Sequence, residues 1–374
     1  MARKLAAVAA VLMLACSTAN AQDVKTALDN AARTMGAVSL RTIEFSGAGS
    51  HFQHGQAVVP FAELPRFNVT SFSYAADYVT PGSRMERVRS QAGRPRGGGP
   101  QPFVEERSLT YLSGEHAWGL TTGGTAPPSA TPRTPGRQAD GEGERQIQLW
   151  GTPYGFLIAA LRNTATTIKE QWIGGKRFRV VSFSRDRTRM DGYINDENLV
   201  EKVETWMHHP VLGDMSVEFS YADYRDWNGV KFPTRVTQRW AGEVILDLTI
   251  RDVKPNVAID LTVPENVRNA PPPAPARIAS RKEAEGVYTV AGQANTVVVE
   301  FRDFVVAIEA PIDEARSLAV IAEVKRLYPS KPIRYLINTH AQYNDHAGGV
   351  RAWAAEGVPF ITHKASKKWF DEVA

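Results

Sequence analysis

Two imidazoles and a carboxylate fall within seven residues in the stretch Asn338-Thr339-His340-Ala341-Gln342-Tyr343-Asn344-Asp345-His346-Ala347-Gly348-Gly349, directly after the apolar run Ile333 to Ile337. Neutral imidazole and carboxylate oxygen are the ligands of catalytic zinc sites, which keep one coordination position open for the water they activate. His340, Asp345 and His346 are therefore the candidate metal ligands. Asp345 is also the candidate catalytic residue, because a carboxylate beside the metal can orient the attacking water. Gln342 offers only a neutral amide oxygen, a poorer donor for zinc than imidazole. The same letters support a structural reading, in which Asp345 caps a small-residue helix and the two histidines are hydrogen-bonded turn residues.

The stretch resembles the His-x-His-x-Asp-His signature of the metallo-β-lactamase superfamily, including the preceding Asn-Thr and the following Ala-Gly-Gly. The resemblance implies a first metal held by His340 and a second held by Asp345 and His346, with one or two zinc ions. It also implies hydrolysis of a small-molecule ester, amide, thioester or phosphoester by a metal-bound hydroxide. Two departures bear on that expectation. Gln342 stands where the second histidine belongs, and one extra residue lengthens the His340 to His346 separation from five to six. The chain ends at Ala374, 28 residues after His346, before the superfamily's remaining ligands. A weakened first metal site and an impaired activity are expected.

The elements that must position this loop are legible around it. Thr296 to Phe301 and Phe304 to Ile308 read as a hairpin about an Arg302-Asp303 turn. Asp313 and Glu314 open a helix with Leu318, Ile321, Val324, Leu327 and Tyr328 at helical spacing, ending before Pro329. Ile333 to Ile337 is a strand, Val350 to Glu356 a helix closed by Gly357, and Val358 to Thr362 a returning strand. This order resembles the amino-terminal half of an αββα metallo-β-lactamase sandwich over Glu285 to Ala374. His363 reads as a loop residue.

Length and composition set the frame. At 374 residues, two domains or more are expected, and 43% hydrophobic with 22% charged residues describes ordinary globular protein. Met1 to Ala21 carries Arg3 and Lys4, an apolar stretch too short to span a bilayer, and an Ala19-Asn20-Ala21 cleavage site. The expected location is periplasmic or secreted, without a transmembrane segment; Cys16 allows a lipoprotein alternative. Cleavage at Ala21 removes the only cysteine, leaving no disulfide and no cysteine metal ligand. It also takes the net charge from +4 to about +2 as Arg3 and Lys4 leave, too little to imply an acidic partner. The basic run Arg84 to Arg96 holds Gly and Pro rather than interleaved aromatics, and reads as a solvated loop, with no nucleic-acid partner.

Residues 22–267 show many short runs rich in β-branched and aromatic residues, among them Thr42 to Gly47, Phe72 to Tyr78, Met215 to Tyr224, Lys231 to Trp240 and Val244 to Val253. One antiparallel, strongly curved sheet is the economical reading. Flexible insertions are expected near 90–102 and 119–143, a helix over Thr152 to Asn163, and a Pro-rich linker over 268–281 into a truncated second domain at 282–374. Tyr221-Ala-Asp-Tyr-Arg-Asp-Trp-Asn-Gly-Val-Lys-Phe-Pro-Thr-Arg, followed by Val253-Lys-Pro-Asn-Val-Ala-Ile-Asp, resembles the late strands of periplasmic lipoprotein-carrier (LolA-like) half-barrels. That resemblance implies a cavity able to hold a lipid or other amphiphile, a filled core being the alternative. Trp206, Trp227 and Trp240 read as packing residues, and His208-His209 before Pro210 as turn residues.

The fold class expected is α+β: an antiparallel curved half-barrel followed by a partial αββα sandwich. Three functions fit: an exported zinc-dependent hydrolase, a non-catalytic binding protein using the β domain for an amphiphile or partner, and a shortened product without independent activity.

Overall fold

The structure is a computed structural model that describes residues 22–57, 62–93, 105–123, 136–138, 141–185, 188–271, 277–292, 294–339 and 344–367. The proposed signal segment, Met1 to Ala21, lies outside the described residues.

Helix α1 spans residues 22–35. Thirteen strands of the first domain follow: β1 (Thr42–Phe52), β2 (Arg66–Asp77), β3 (Gly82–Gln91), β4 (Glu106–Ser113), β5 (His116–Gly123), β6 (Gly136–Arg137), β7 (Thr167–Ile173), β8 (Lys176–Arg185), β9 (Thr188–Ile194), β10 (Val200–His209), β11 (Gly213–Trp227), β12 (Val230–Trp240) and β13 (Glu243–Pro255). They form one sheet in the order β6-β5-β4-β3-β2-β1-β13-β12-β11-β10-β9-β8-β7. Two antiparallel meanders are thus joined where the first strand meets the last. The sheet stays open, with β6 and β7 at its edges.

Curvature originates at that junction. A β carbon on Gly47 would lie 2.2 Å from the Thr249 carbonyl oxygen, and one on Gly49 would lie 2.0 Å from that of Asp247. Only glycine admits so close an approach of β13, and the register of β1 shifts beside both positions. Helices α2 (Glu142–Gly151) and α3 (Pro153–Arg162) lie against the concave face together with α1. Thr152 starts α3, its hydroxyl accepting from Gly155 N at 3.0 Å and donating to Leu149 O at 2.8 Å. Phe156, Leu157 and Tyr154 of α3 are fully buried with Met35 and Leu28 of α1 in a single apolar cluster.

Several expectations change here. The basic run from Arg84 is not a solvated loop in its first half, because residues 84–91 are the body of β3, paired to both β2 and β4. Its inward arginines are buried against acids from distant positions, which spacing cannot show. The insertion expected over 119–143 is interrupted: Gly119 to Gly123 belong to β5, Gly136 and Arg137 form β6, and α2 begins at Glu142. Helices α1 and α2 go beyond the one helix anticipated in this domain. Asn228 and Gly229 have φ of 55° and 82° and make the tight β11–β12 turn that the sequence predicts.

A short α4 (Glu265–Arg268) precedes the second domain. There β14 (Ala279–Ala284), β15 (Val287–Ala291), β16 (Thr296–Glu300), β17 (Val305–Ile308), β18 (Ile333–Asn338) and β19 (Phe360–Thr362) form a six-stranded sheet in chain order. The first four strands are antiparallel, while β17, β18 and β19 run parallel. Helix α5 (Glu314–Leu327) connects β17 to β18, and α6 (Asn344–Ala347) and α7 (Val350–Ala355) connect β18 to β19. Asp313 caps α5 by accepting from Arg316 N at 2.7 Å. The buried stripe of α5 is Arg316, Ser317, Val320, Ile321 and Val324, whereas Leu318 is 48% exposed. The helix is turned from the expected face because Trp353 Nε1 donates to Ser317 Oγ at 3.1 Å and Arg316 reaches the carbonyls of Val290 and Ala294.

Candidate functional site

The carboxyl ends of three parallel strands meet at one edge of the second sheet: β17 leads into Glu309, β18 into Thr339 and β19 into His363. In parallel sheets this edge is where loops can build a site. Glu309 is the organising residue. Its φ of 75° turns the chain sharply out of β17. Its carboxylate accepts from Thr339 N at 2.9 Å, from the Thr339 hydroxyl, and from Asn338 Nδ2 at 3.3 Å. His346 Nδ1 stands 3.3 Å from Glu309 Oε2, and this carboxylate is only 14% exposed. The His346 carbonyl in turn accepts from Asn338 Nδ2 at 3.1 Å and from Ala310 N at 3.0 Å. Gly349, whose nitrogen donates to Ala310 O at 2.8 Å, packs so closely that a β carbon there would lie 2.0 Å from Ser317 Oγ.

A carboxylate beside the Nδ1 of an imidazole is the usual support of a metal-bound histidine, and the 3.3 Å approach of Glu309 is within ion-pair distance without being a hydrogen bond. The geometry around His346 therefore suits the metal role, although the same pair would also serve as a turn clamp. His340 and Gln342 lie outside the described residues, as do the side chains of Asn344 and Asp345, whose backbone forms the first half of α6. Among the described residues, no group of three His, Cys, Asp or Glu is placed to hold a metal ion. His363 Nδ1 accepts from Ala365 N at 3.2 Å and caps a short turn, in keeping with its reading as a loop residue.

A second candidate site lies in the first domain, between the concave face and the helix pair. Phe45, Phe72, Phe219, Val236 and Leu248 from five strands face Thr152 and Pro153 across a cavity with about 510 Å³ of space not filled by atoms, its open mouth included. The part of it that a water-sized sphere can enter is about 50 Å³, below the roughly 300–1,000 Å³ typical of small-molecule sites. Few polar atoms face it. Tyr221 donates to Gly151 O at 2.5 Å, and Tyr78 shares a 2.8 Å hydrogen bond with the Thr152 hydroxyl. Burial holds both phenols well above their ordinary pKa, so this face is uncharged at any physiological pH.

The two domains meet at the β10–β11 hairpin. Val211, at its tip, is 1% exposed and belongs to the apolar cluster of the second domain with Val350 and Trp353. Gly213 abuts the Arg351 guanidinium of α7. His209 Nδ1 fixes the turn by accepting from Val211 N at 3.2 Å and Leu212 N at 3.1 Å, as its reading as a turn residue requires. His54 packs edge-on against both His209 and Trp240. Burial lowers both His54 and His209 to a pKa of about 4, so the pair is neutral near pH 7.

Sequence reasoning missed Glu309 as a site residue. Its only signal is an acid closing a strand beside Asn338-Thr339, which becomes meaningful once β17 and β18 are known to pair.

No family model and no curated protein matches the chain. Among solved structures, the chain is similar to the metallo-β-lactamase FIM-1 from Pseudomonas aeruginosa in its mono-zinc form, at 24% identity over 27% of this chain and 48% of that chain, with a TM-score of 0.24. It is similar to a metallo-β-lactamase from Hirschia baltica, at 24% identity over 25% of this chain and 47% of that chain, with a TM-score of 0.23. It is also similar to the LolA superfamily protein NE2245 from Nitrosomonas europaea, at 14% identity over 64% of this chain and 97% of that chain, with a TM-score of 0.37. The chain spans about half the length of the metallo-β-lactamases it matches.

Proposed function

We propose that this chain is a binding protein whose half-barrel carries an apolar ligand, and that its second domain keeps a hydrolase-type histidine loop as a separate element. The observation that carries the first part is the cavity under α2 and α3. Its walls are mostly aromatic and aliphatic, it opens to solvent, and the Thr152 hydroxyl and the Tyr221 phenol beside it are already hydrogen-bonded. Transfer of an alkyl chain into such a space gains roughly 0.8 kcal/mol per buried CH₂. The chain is read as acting outside the cytoplasm, on the strength of Met1 to Ala21. Among the described residues, no helix is long and apolar enough to cross a membrane.

The test is a titration of the delipidated chain with N-phenyl-1-naphthylamine, an uncharged apolar fluorophore. Saturable enhancement with one site per chain, reversed by a long-chain amphiphile, is the expected result. Absence of saturable binding would reject the carrier reading.

The Glu309 to His346 contact favours a second reading, metal-dependent hydrolysis. His340, Asp345 and His346 form a donor set chemically suited to zinc, and His346 Nδ1 lies 3.3 Å from the Glu309 carboxylate, which supports this reading. A zinc ion there would supply Lewis acidity and lower the pKa of water toward neutrality. Glu309 would fix the His346 ring, and Asp345 would orient the water. The substrate would be a small ester, amide, thioester or phosphoester, with Gln342 weakening the site.

A further inference from the structure

The β10–β11 connection is a three-residue loop, Pro210, Val211 and Leu212, closed by His209 opposite Gly213. Proline has no backbone N–H, so the loop has two such donors, and one atom accepts from both: His209 Nδ1, 3.2 Å from Val211 N and 3.1 Å from Leu212 N. This fixes the chemistry of the imidazole. Nδ1 must keep its lone pair, the ring proton sits on Nε2, and a second proton can go only to the atom that holds the loop. The same loop makes the domain contact. Val211 is buried in the apolar cluster of the second domain, and a β carbon on Gly213, whose φ is 72°, would lie 2.6 Å from Arg351 Nη1 of α7.

The surroundings of His209 do not welcome a charge. His54, from the connection between β1 and β2, packs edge-on against it with ring centroids 5.8 Å apart, and lies equally far from the uncharged Trp240 ring of β12. Glu243 of β13 stands 3.6 Å from His54 Nε2, but burial pushes its pKa up, so it tends to neutrality as the pH falls. On the hairpin itself His208 and Asp214 pair in register, both exposed and so screened by solvent. From the second domain, α7 brings the Arg351 guanidinium against Gly213, a further positive charge beside the turn.

We propose that His209 is an acid-sensitive latch between the domains: a proton on Nδ1 removes the acceptor of Val211 N and Leu212 N, the loop loses its shape, and Val211 leaves the second domain, which undocks while both domains stay folded. Burial, with His54 and His208 nearby, lowers His209 from 6.5 to about 4. The neutral form is the docked form. Docking is therefore fully present above about pH 6.5 and weakens as the pH falls toward 4, by up to about 300-fold. An asparagine at this position offers a carbonyl oxygen for the same kind of contact, as in an Asx turn, and does not titrate.

The test is small-angle X-ray scattering of the full chain from pH 7 to pH 4, with circular dichroism in parallel, on wild type and His209→Asn. Wild type is expected to change from a compact particle to two separated domains as the pH falls, with its circular dichroism retained, while His209→Asn stays compact at pH 4. A wild type still compact at pH 4, a His209→Asn chain that opens over the same range, or unfolding of the whole wild-type chain in one step overturns the latch. Should His209→Asn be undocked already at pH 7, nitrogen-15 spectra of the wild-type imidazoles decide. An Nε2–H tautomer of His209 at pH 7, protonated at the midpoint of the scattering change, sustains the latch; an Nδ1–H tautomer, or protonation away from that midpoint, overturns it.

Discussion

Glu309 couples backbone geometry to side-chain chemistry, and substitution separates the two. Removing its carboxylate leaves Thr339 N, the Thr339 hydroxyl and Asn338 Nδ2 without their acceptor, a loss of about 1–3 kcal/mol. Glycine adopts a φ of 75° without the penalty that any β carbon incurs. Glu309→Gly is therefore expected to be more stable than Glu309→Ala by about 1 kcal/mol in urea denaturation, although both lack the acid. If His346 is a metal ligand, both variants also lose zinc by elemental analysis, as does His346→Ala. Retention of stoichiometric zinc in His346→Ala would remove this loop from consideration. Sequence exposes His346 directly, since histidine near aspartate after a strand is a visible pattern. It hides Glu309, whose importance comes from parallel pairing 30 positions away.

At the scale of elements, the β10–β11 hairpin joins the domains. Val211 sits in the core of the second domain, so Val211→Asp buries a charge among apolar side chains. Loss of several kcal/mol from the second domain is expected, seen as early proteolysis after residue 270 while the half-barrel resists. A single cooperative transition with unchanged midpoint would show that the hairpin contributes nothing to the second domain. The strands with alternating apolar residues, such as β11 and β12, are readable from sequence because one face is core. Strand β3 is not, because its inward residues include Arg87 and Arg89, and the acids that balance them come from β4 and α2. The face of α5 is misread for a related reason: Ser317 and Arg316 are drawn inward by Trp353 and by backbone carbonyls that spacing along one helix cannot reveal.

For the whole molecule, buried neutral histidines dictate how stability depends on pH. Burial lowers His54 and His209 from 6.5 to about 4, and desolvation with the nearby Arg87 and Arg89 charges holds His51 well below its ordinary value. The unfolded chain therefore binds more protons than the folded one between about pH 6.5 and 4. Stability is fully present above pH 6.5 and falls through that window, by up to about 3 kcal/mol for each of His54 and His209. Glu243, pushed up by burial, offsets part of the loss as the pH drops. Melting temperature should fall from pH 7 to pH 4, less steeply in His54→Gln; a flat profile would contradict this account of the domain junction.

The central claim is that the space beneath α2 and α3 receives an apolar ligand, and filling that space tests it most directly. Val236 and Leu248 line the cavity from adjacent strands. In Val236→Trp the added ring occupies the volume that a ligand would take. Titration of wild type and Val236→Trp with N-phenyl-1-naphthylamine, with melting temperatures measured in parallel, should show one saturable site in the first and none in the second at similar stability. Equal binding by a folded Val236→Trp variant would place the ligand elsewhere and contradict the account.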